Sequence, residues 1–107
     1  MAVDIRHIEK EFDNLLKEVK ALKEKYPYQA PLFFLSTQLT LLKPWIKEIA
    51  ENKFQYVTSM EHKLIALEGL TKNFEKNTTE KALFKDILVR LDTLRKQLDM
   101  LRKELKL

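Results

Sequence analysis

Apolar residues in the last quarter of the chain recur in steps of three and four: Phe84, Ile87, Leu91, Leu94, Leu98, Leu101 and Leu105. This spacing predicts a helix that presents one continuous apolar seam, and the seam needs a cover, either another helix of the chain or a second copy. The first quarter has the same rhythm in Ile5, Ile8, Phe12, Leu15, Val19 and Leu22, with Leu16 widening the stripe. It predicts a helix from Ile5 to Lys25, capped at its start by Asp4 and ended before Pro27, since a residue preceding proline is pushed out of the helical region. This first helix is the natural partner for the C-terminal seam. Tyr26-Pro27-Tyr28-Gln29-Ala30-Pro31 reads as a loop.

Between these segments the pattern changes. Pro31 to Leu42 is apolar on nearly all sides, and no charged residue lies between Lys25 and Lys43. Such a run predicts a helix buried in a bundle, with Pro31 at its first position and a partner or membrane-surface contact as the alternatives. It is too short to cross a bilayer, which takes about 20 apolar residues. Pro44 predicts a kink or short break. The next helix, Trp45 to about Lys76, keeps a seam of Ile46, Ala50, Val57, Met60, Leu64, Leu67 and Phe74, interrupted by Lys53 and Thr71, and Gly69 marks a place for a bend. Asn77-Thr78-Thr79-Glu80 has the form of a capping box opening the last helix.

These segments predict an all-α fold in a single domain over residues 1–107, an antiparallel helical bundle of three to four helices with a long C-terminal heptad-repeat helix. At 1.5 Å per residue the last helix, from Thr79 to Leu105, is about 40 Å long and the first about 30 Å. The excess either projects from the bundle or forms a homodimer through the C-terminal heptads.

Composition agrees. One Gly, three Pro, 34% charged and 45% hydrophobic residues leave little turn material. With no Cys, neither disulfides nor thiolate metal sites are available, which fits a reducing compartment such as the cytoplasm. Met1-Ala2-Val3-Asp4 is charged rather than apolar, unlike a signal peptide.

Charge adds one feature. The formal net charge is +4, and three of the four surplus charges fall after Leu83, where Arg95, Lys96, Arg102 and Lys103 share one edge of the last helix. Such a stripe suits phosphate or an acidic peptide, although a lysine- and arginine-rich edge also serves simply to solvate a helix.

Nothing in the sequence assembles a catalytic constellation. Asp4, His7 and Glu11 share a helix face, yet a metal site would lack a fourth ligand. His62 resembles the phosphorylated helix of a phosphotransfer bundle without the Lys-Gly that follows the histidine there. With no glycine-rich phosphate loop, nucleophile elbow or paired carboxylates, neither enzyme activity nor a cofactor is expected. Tyr26 and Tyr28, or Tyr56 beside Lys53, have the character of base-stacking platforms, though core packing accounts for most of the aromatic residues.

Several stretches resemble the bacterial primosomal replication-restart protein C family. Ile8-Glu9 with Phe12 and Leu15 is similar to its opening helix, and Leu42…Trp45-Ile46-Lys47-Glu48 with Asn52 to the end of its N-terminal half. Met60-Glu61-His62-Lys63-Leu64 resembles its aromatic-Glu-basic-basic-Leu step, and Arg90-Leu91…Arg95…Leu98…Leu101…Leu105 its closing helix. The chain departs from the family at Ala30-Pro31-Leu32-Phe33-Phe34 and is shorter between the two halves. The resemblance implies binding of single-stranded DNA and of the acidic tail of single-strand-binding protein, in support of reloading the replicative helicase. It also implies Lys63 and Arg90 as the basic positions for the tail, with Met60 as their apolar neighbour.

The leading expectation is therefore a non-enzymatic replication accessory that grips single-stranded DNA and an acidic peptide through Lys63, Arg90, Arg95, Lys96, Arg102 and Lys103. Its rival is a coiled-coil protein–protein adaptor, chaperone or scaffold that binds no nucleic acid.

Overall fold

A computed structural model of the chain describes residues 3–107; Met1 and Ala2, half of the charged N-terminal stretch, lie outside the described residues. Four α-helices, α1 (Ile5–Lys25), α2 (Ala30–Ala50), α3 (Val57–Lys76) and α4 (Lys81–Glu104), form an all-α bundle, and the described residues contain no strand. The bundle measures 41 × 21 × 19 Å. Helices α3 and α4 make the most extensive pair and α1 and α2 the next, while α1–α4 and α2–α3 close the ring. Short connections make each helix antiparallel to its neighbours in sequence.

Helix α1 has the predicted bounds. The Asp4 side chain accepts from the Arg6 amide at 3.0 Å, and Ile8, Phe12, Leu15 and Val19 are buried. The predicted loop is shorter than expected, because α2 already starts at Ala30.

The expected kink or break at Pro44 does not divide the chain: α2 continues through it to Ala50. The reason is packing. Leu32, Leu35, Leu39, Leu42, Ile46 and Ile49 keep an unbroken three-four step across the proline, and all six are buried. A proline inside a helix costs about 3 kcal/mol, whereas each fully buried Leu or Ile contributes about 1.5–3 kcal/mol. Burying Ile46 and Ile49 beyond the proline offsets its cost.

The single helix expected from Trp45 to Lys76 is instead cut at Asn52, whose φ of 66° is left-handed. The Asn52 amide donates to the Ile49 carbonyl at 3.0 Å and the Lys53 amide to that of Glu48 at 2.9 Å, the paired bonds of a Schellman stop. Asparagine tolerates this conformation better than most residues. A 3₁₀ turn, Phe54–Tyr56, then leads into α3, so the polar step at Lys53 falls in a connection. Gly69 lies within an uninterrupted α3.

The capping box is not formed. Helix α4 begins at Lys81, and Glu80 precedes it without a side-chain cap. The Thr78 hydroxyl accepts from the Glu80 amide, and the Gln29 side chain donates to both Thr78 and the Glu80 carboxylate, at 3.2 and 2.9 Å. These side chains tie the α1–α2 connection to the α3–α4 connection instead of capping a helix.

The C-terminal seam is covered within the chain. Phe84, Ile87, Leu91, Leu94, Leu98 and Leu101 are buried against one continuous core drawn from all four helices. Its chief partner is α3, with α1 second. The heptads do not project as a tail, since Arg102 near the end of α4 still reaches Glu61 on α3 at 3.0 Å. Dimerisation through these residues would require opening the core.

Candidate interaction surfaces

The edge of α4 predicted to carry free positive charge is neutralised by acids of α3 and of α4 itself. Arg95 Nε lies 2.6 Å from Glu68 Oε2, and its Nη2 lies 2.6 Å from Asp92 Oδ1. Lys96 Nζ completes the set, 2.9 Å from Asp92 Oδ2. One heptad later the arrangement repeats: Arg102 binds Glu61 at 3.0 Å and Asp99 at 2.6 Å, and Lys103 binds Asp99 at 3.0 Å. Each set pairs two acids with two bases, so the stripe adds no net charge.

The ladder is partly buried, with Glu61 and Glu68 among the few buried charged residues. Burial pushes the Glu68 carboxyl up, and Arg95 opposes this. Hydrogen bonds from Lys96 and Lys103 hold Asp92 and Asp99 below the usual carboxylate range. Breaking such pairs to grip a ligand would strand acids beneath it.

The other predicted residues lie apart. Arg90 Nε sits 2.6 Å from Glu18 Oε2 on α1 and 3.4 Å from Asp86 Oδ2. Burial and the neighbouring Asp86 carboxylate push the Glu18 carboxyl up to about 7, against the attraction of Arg90. Met60 is fully buried on the inward stripe of α3 with Val57, Leu64 and Leu67, so it belongs to the core and is withdrawn from any partner. Lys63 is exposed and has no ion-pair partner among the described residues. His7 bonds to Glu11 at 3.2 Å, and no group of described residues is arranged to hold a metal.

Two surfaces stand out that the sequence pattern does not identify as such. On α1, Glu9 and Asp13 are drawn to Lys43 of α2 and Glu18 to Arg90 of α4. Arg6, Lys10, Lys17 and Lys20 remain exposed on the outside without ion-pair partners among the described residues. A segment with balanced charge in sequence thus becomes a helix with a basic outer face.

The second surface lies between α2 and α3, the ring neighbours with the least contact. Phe34, Gln38, Leu41 and Trp45 follow one side of α2 in steps of four, three and four. Ser59, Lys63, Ala66 and Leu70 follow α3 in the same steps. Aromatic contacts bracket the two rows, Phe34 with Phe74 at 6.2 Å and Trp45 with Tyr56 at 6.0 Å. Leu41 is 64% exposed, Phe34 40% and Leu70 38%, although all three are large and apolar. At one end Ala30, Pro31, Phe34, Leu70 and Phe74 line an open groove of about 380 Å³. Of the aromatics expected to be core material, Phe34 and Trp45 lie on this face, while Tyr28 and Phe33 are exposed outside it. The sequence signal for the face is the charge-free run from Tyr26 to Leu42, which by itself predicts burial.

No helix among the described residues is long and apolar enough to cross a membrane. No family model, curated protein or solved structure matches the chain.

Proposed function

We propose that the chain is a non-enzymatic binding module that engages another protein through the face shared by α2 and α3. The observation that carries this reading is the exposure of Phe34, Leu41 and Leu70 along helix flanks with only one charged residue, Lys63. Large apolar side chains grouped on one surface mark sites of association. The adaptor or scaffold reading is therefore preferred over the nucleic-acid reading, and its contact surface moves from the C-terminal heptads to α2 and α3.

The test is substitution on the surface. Leu41→Glu should leave the helical circular dichroism unchanged and abolish binding of a cognate protein segment. Unchanged binding by a folded Leu41→Glu, Leu70→Glu variant would exclude this face.

A second reading keeps single-stranded DNA as a ligand and is supported by the unpaired row Arg6, Lys10, Lys17 and Lys20 on α1. Binding through several phosphate contacts weakens steeply with salt. Titration of a labelled oligonucleotide at several salt concentrations tests it, and changing the four residues to Gln should then remove the salt-dependent binding. Absence of binding at low salt excludes this reading. The replication-restart role, with the tail of single-strand-binding protein and the replicative helicase as partners, requires both surfaces to be active.

A further inference from the structure

We infer that the face shared by α2 and α3, from the groove at its Phe34–Leu70 end to Leu41 and Lys63, receives a helix of a partner protein, with an apolar stripe against Phe34, Leu41 and Leu70 and a carboxylate against Lys63. This rests on the proposed α2–α3 binding face and specifies its occupant.

The backbone chemistry of the groove favours a helix. Both walls are helices, whose backbone groups bond along their own axes save at Pro44, so they offer no strand edge to an extended peptide. An extended segment would lay unpaired backbone groups over an apolar floor, whereas a helix satisfies its own. The geometry agrees. Each helix carries an exposed or half-buried row at four-three-four spacing, and a third helix can lay its own ridge along rows of that period. From Phe34 to Trp45 the row is about 17 Å long, or three helical turns.

Charge selects the partner. Lys63 is the one charged residue in the two rows, lies between the aromatic ends, and has no ion-pair partner among the described residues. An apolar helix laid over it would strip water from an ammonium group, which is costly unless an acid meets it. A second copy of this chain fits poorly. A two-fold pairing through this face would bury two Lys63 ammonium groups in one interface, and neither row holds an acid to offset them. A partner with an apolar stripe interrupted by Asp or Glu removes the conflict.

The experiment pans a display library of 16-residue peptides on the folded full-length chain and measures the affinity of the enriched peptides as synthetic helices. The expected winners have apolar residues at three-four spacing and one Asp or Glu. Their affinity should fall at least about tenfold with Leu41→Glu and about tenfold with Lys63→Glu, and replacing the peptide's acid by Lys should restore binding to the Lys63→Glu variant. Both protein substitutions lie at exposed positions, and circular dichroism verifies that the variants stay folded. Peptides that depend on Leu41 but lack an acid, or ignore Lys63→Glu, would overturn the inference and leave the binding face standing. Leu41-dependent peptides that bind in an extended conformation would do the same. Failure to enrich any Leu41-dependent peptide would overturn both.

Discussion

Helix α3 has two flanks, and they have opposite fates. Toward α4 it presents Glu61 and Glu68, each fixed by an arginine and linked through Asp99 or Asp92 to a lysine. Toward α2 it presents Ser59, Lys63, Ala66 and Leu70 and leaves apolar side chains in contact with water. The first flank closes an interface and consumes charge that otherwise looks available for a ligand. The second leaves an interface half made. The difference teaches that charge counted along one helix says little until the helix beside it is known.

The contrast breaks most easily in the closed half. Leu94→Ala, in the seam beside the first ion-pair set, should cost about 2–5 kcal/mol in chemical denaturation. A loss of less than about 1 kcal/mol would mean that α4 is not packed as described. Arg95→Met keeps the stem but strands the buried Glu68 carboxylate, so a loss of about 1–3 kcal/mol is expected.

Acid and base sharpen the picture on the other side of α4. The raised Glu18 carboxyl holds its proton to about pH 7 in the fold, whereas an unconstrained one releases it near 4.5. The folded chain therefore binds more protons than the unfolded chain between these values, and its stability should fall as pH rises through that window. The lowered Asp86 acts in the opposite sense and only below its ordinary value of 3.8, outside that range. Thermal melts from about pH 4.5 to about 7.5 should show the decline in the native chain and a shallower one in Glu18→Gln. Equal slopes would refute the assignment.

Smaller effects belong to the open half and its edge. Gly69 is exposed in mid-helix, and a Cβ there would meet no atom within 4 Å, so Gly69→Ala should stabilise by about 1 kcal/mol in the same denaturation assay. Leu41→Ala should change stability by no more than about 0.5 kcal/mol, although the same substitution in the seam is severe.

Much of the fold was legible because three-four spacing reports a buried stripe directly. Helix α1, the seam of α4 and the all-α class follow from it, and the Asp4 cap follows from residue type at the helix start. The breaks were harder to read. Pro44 carries a strong local signal, but the stripe of buried residues running through it outweighs that signal. Asn52 carries a weak local signal and becomes a helix stop through two backbone bonds. The Asn77–Glu80 motif lost its cap to a contact with Gln29, 51 residues from Glu80, which local spacing cannot reveal.

The candidate site was less legible for the same reason. Asp92 and Asp99 stand three residues from Arg95 and Arg102 in the sequence, but Glu68 and Glu61 complete the neutralisation only in the fold, and Met60 in a heptad does not announce its depth. In the sequence, Lys63 is marked only by a family resemblance. In the fold, its importance comes from being the one charged residue within the two rows.

The central claim is that recognition occurs on the open flank of α3 and not on the ladder it shares with α4. Amide chemical-shift mapping with a peptide enriched on the folded chain tests this most directly. The account predicts perturbations at Gln38, Leu41, Lys63, Ala66 and Leu70, with Arg95, Lys96, Arg102 and Lys103 unmoved. Perturbations centred on Arg95 to Lys103, with the α2 row silent, would contradict it.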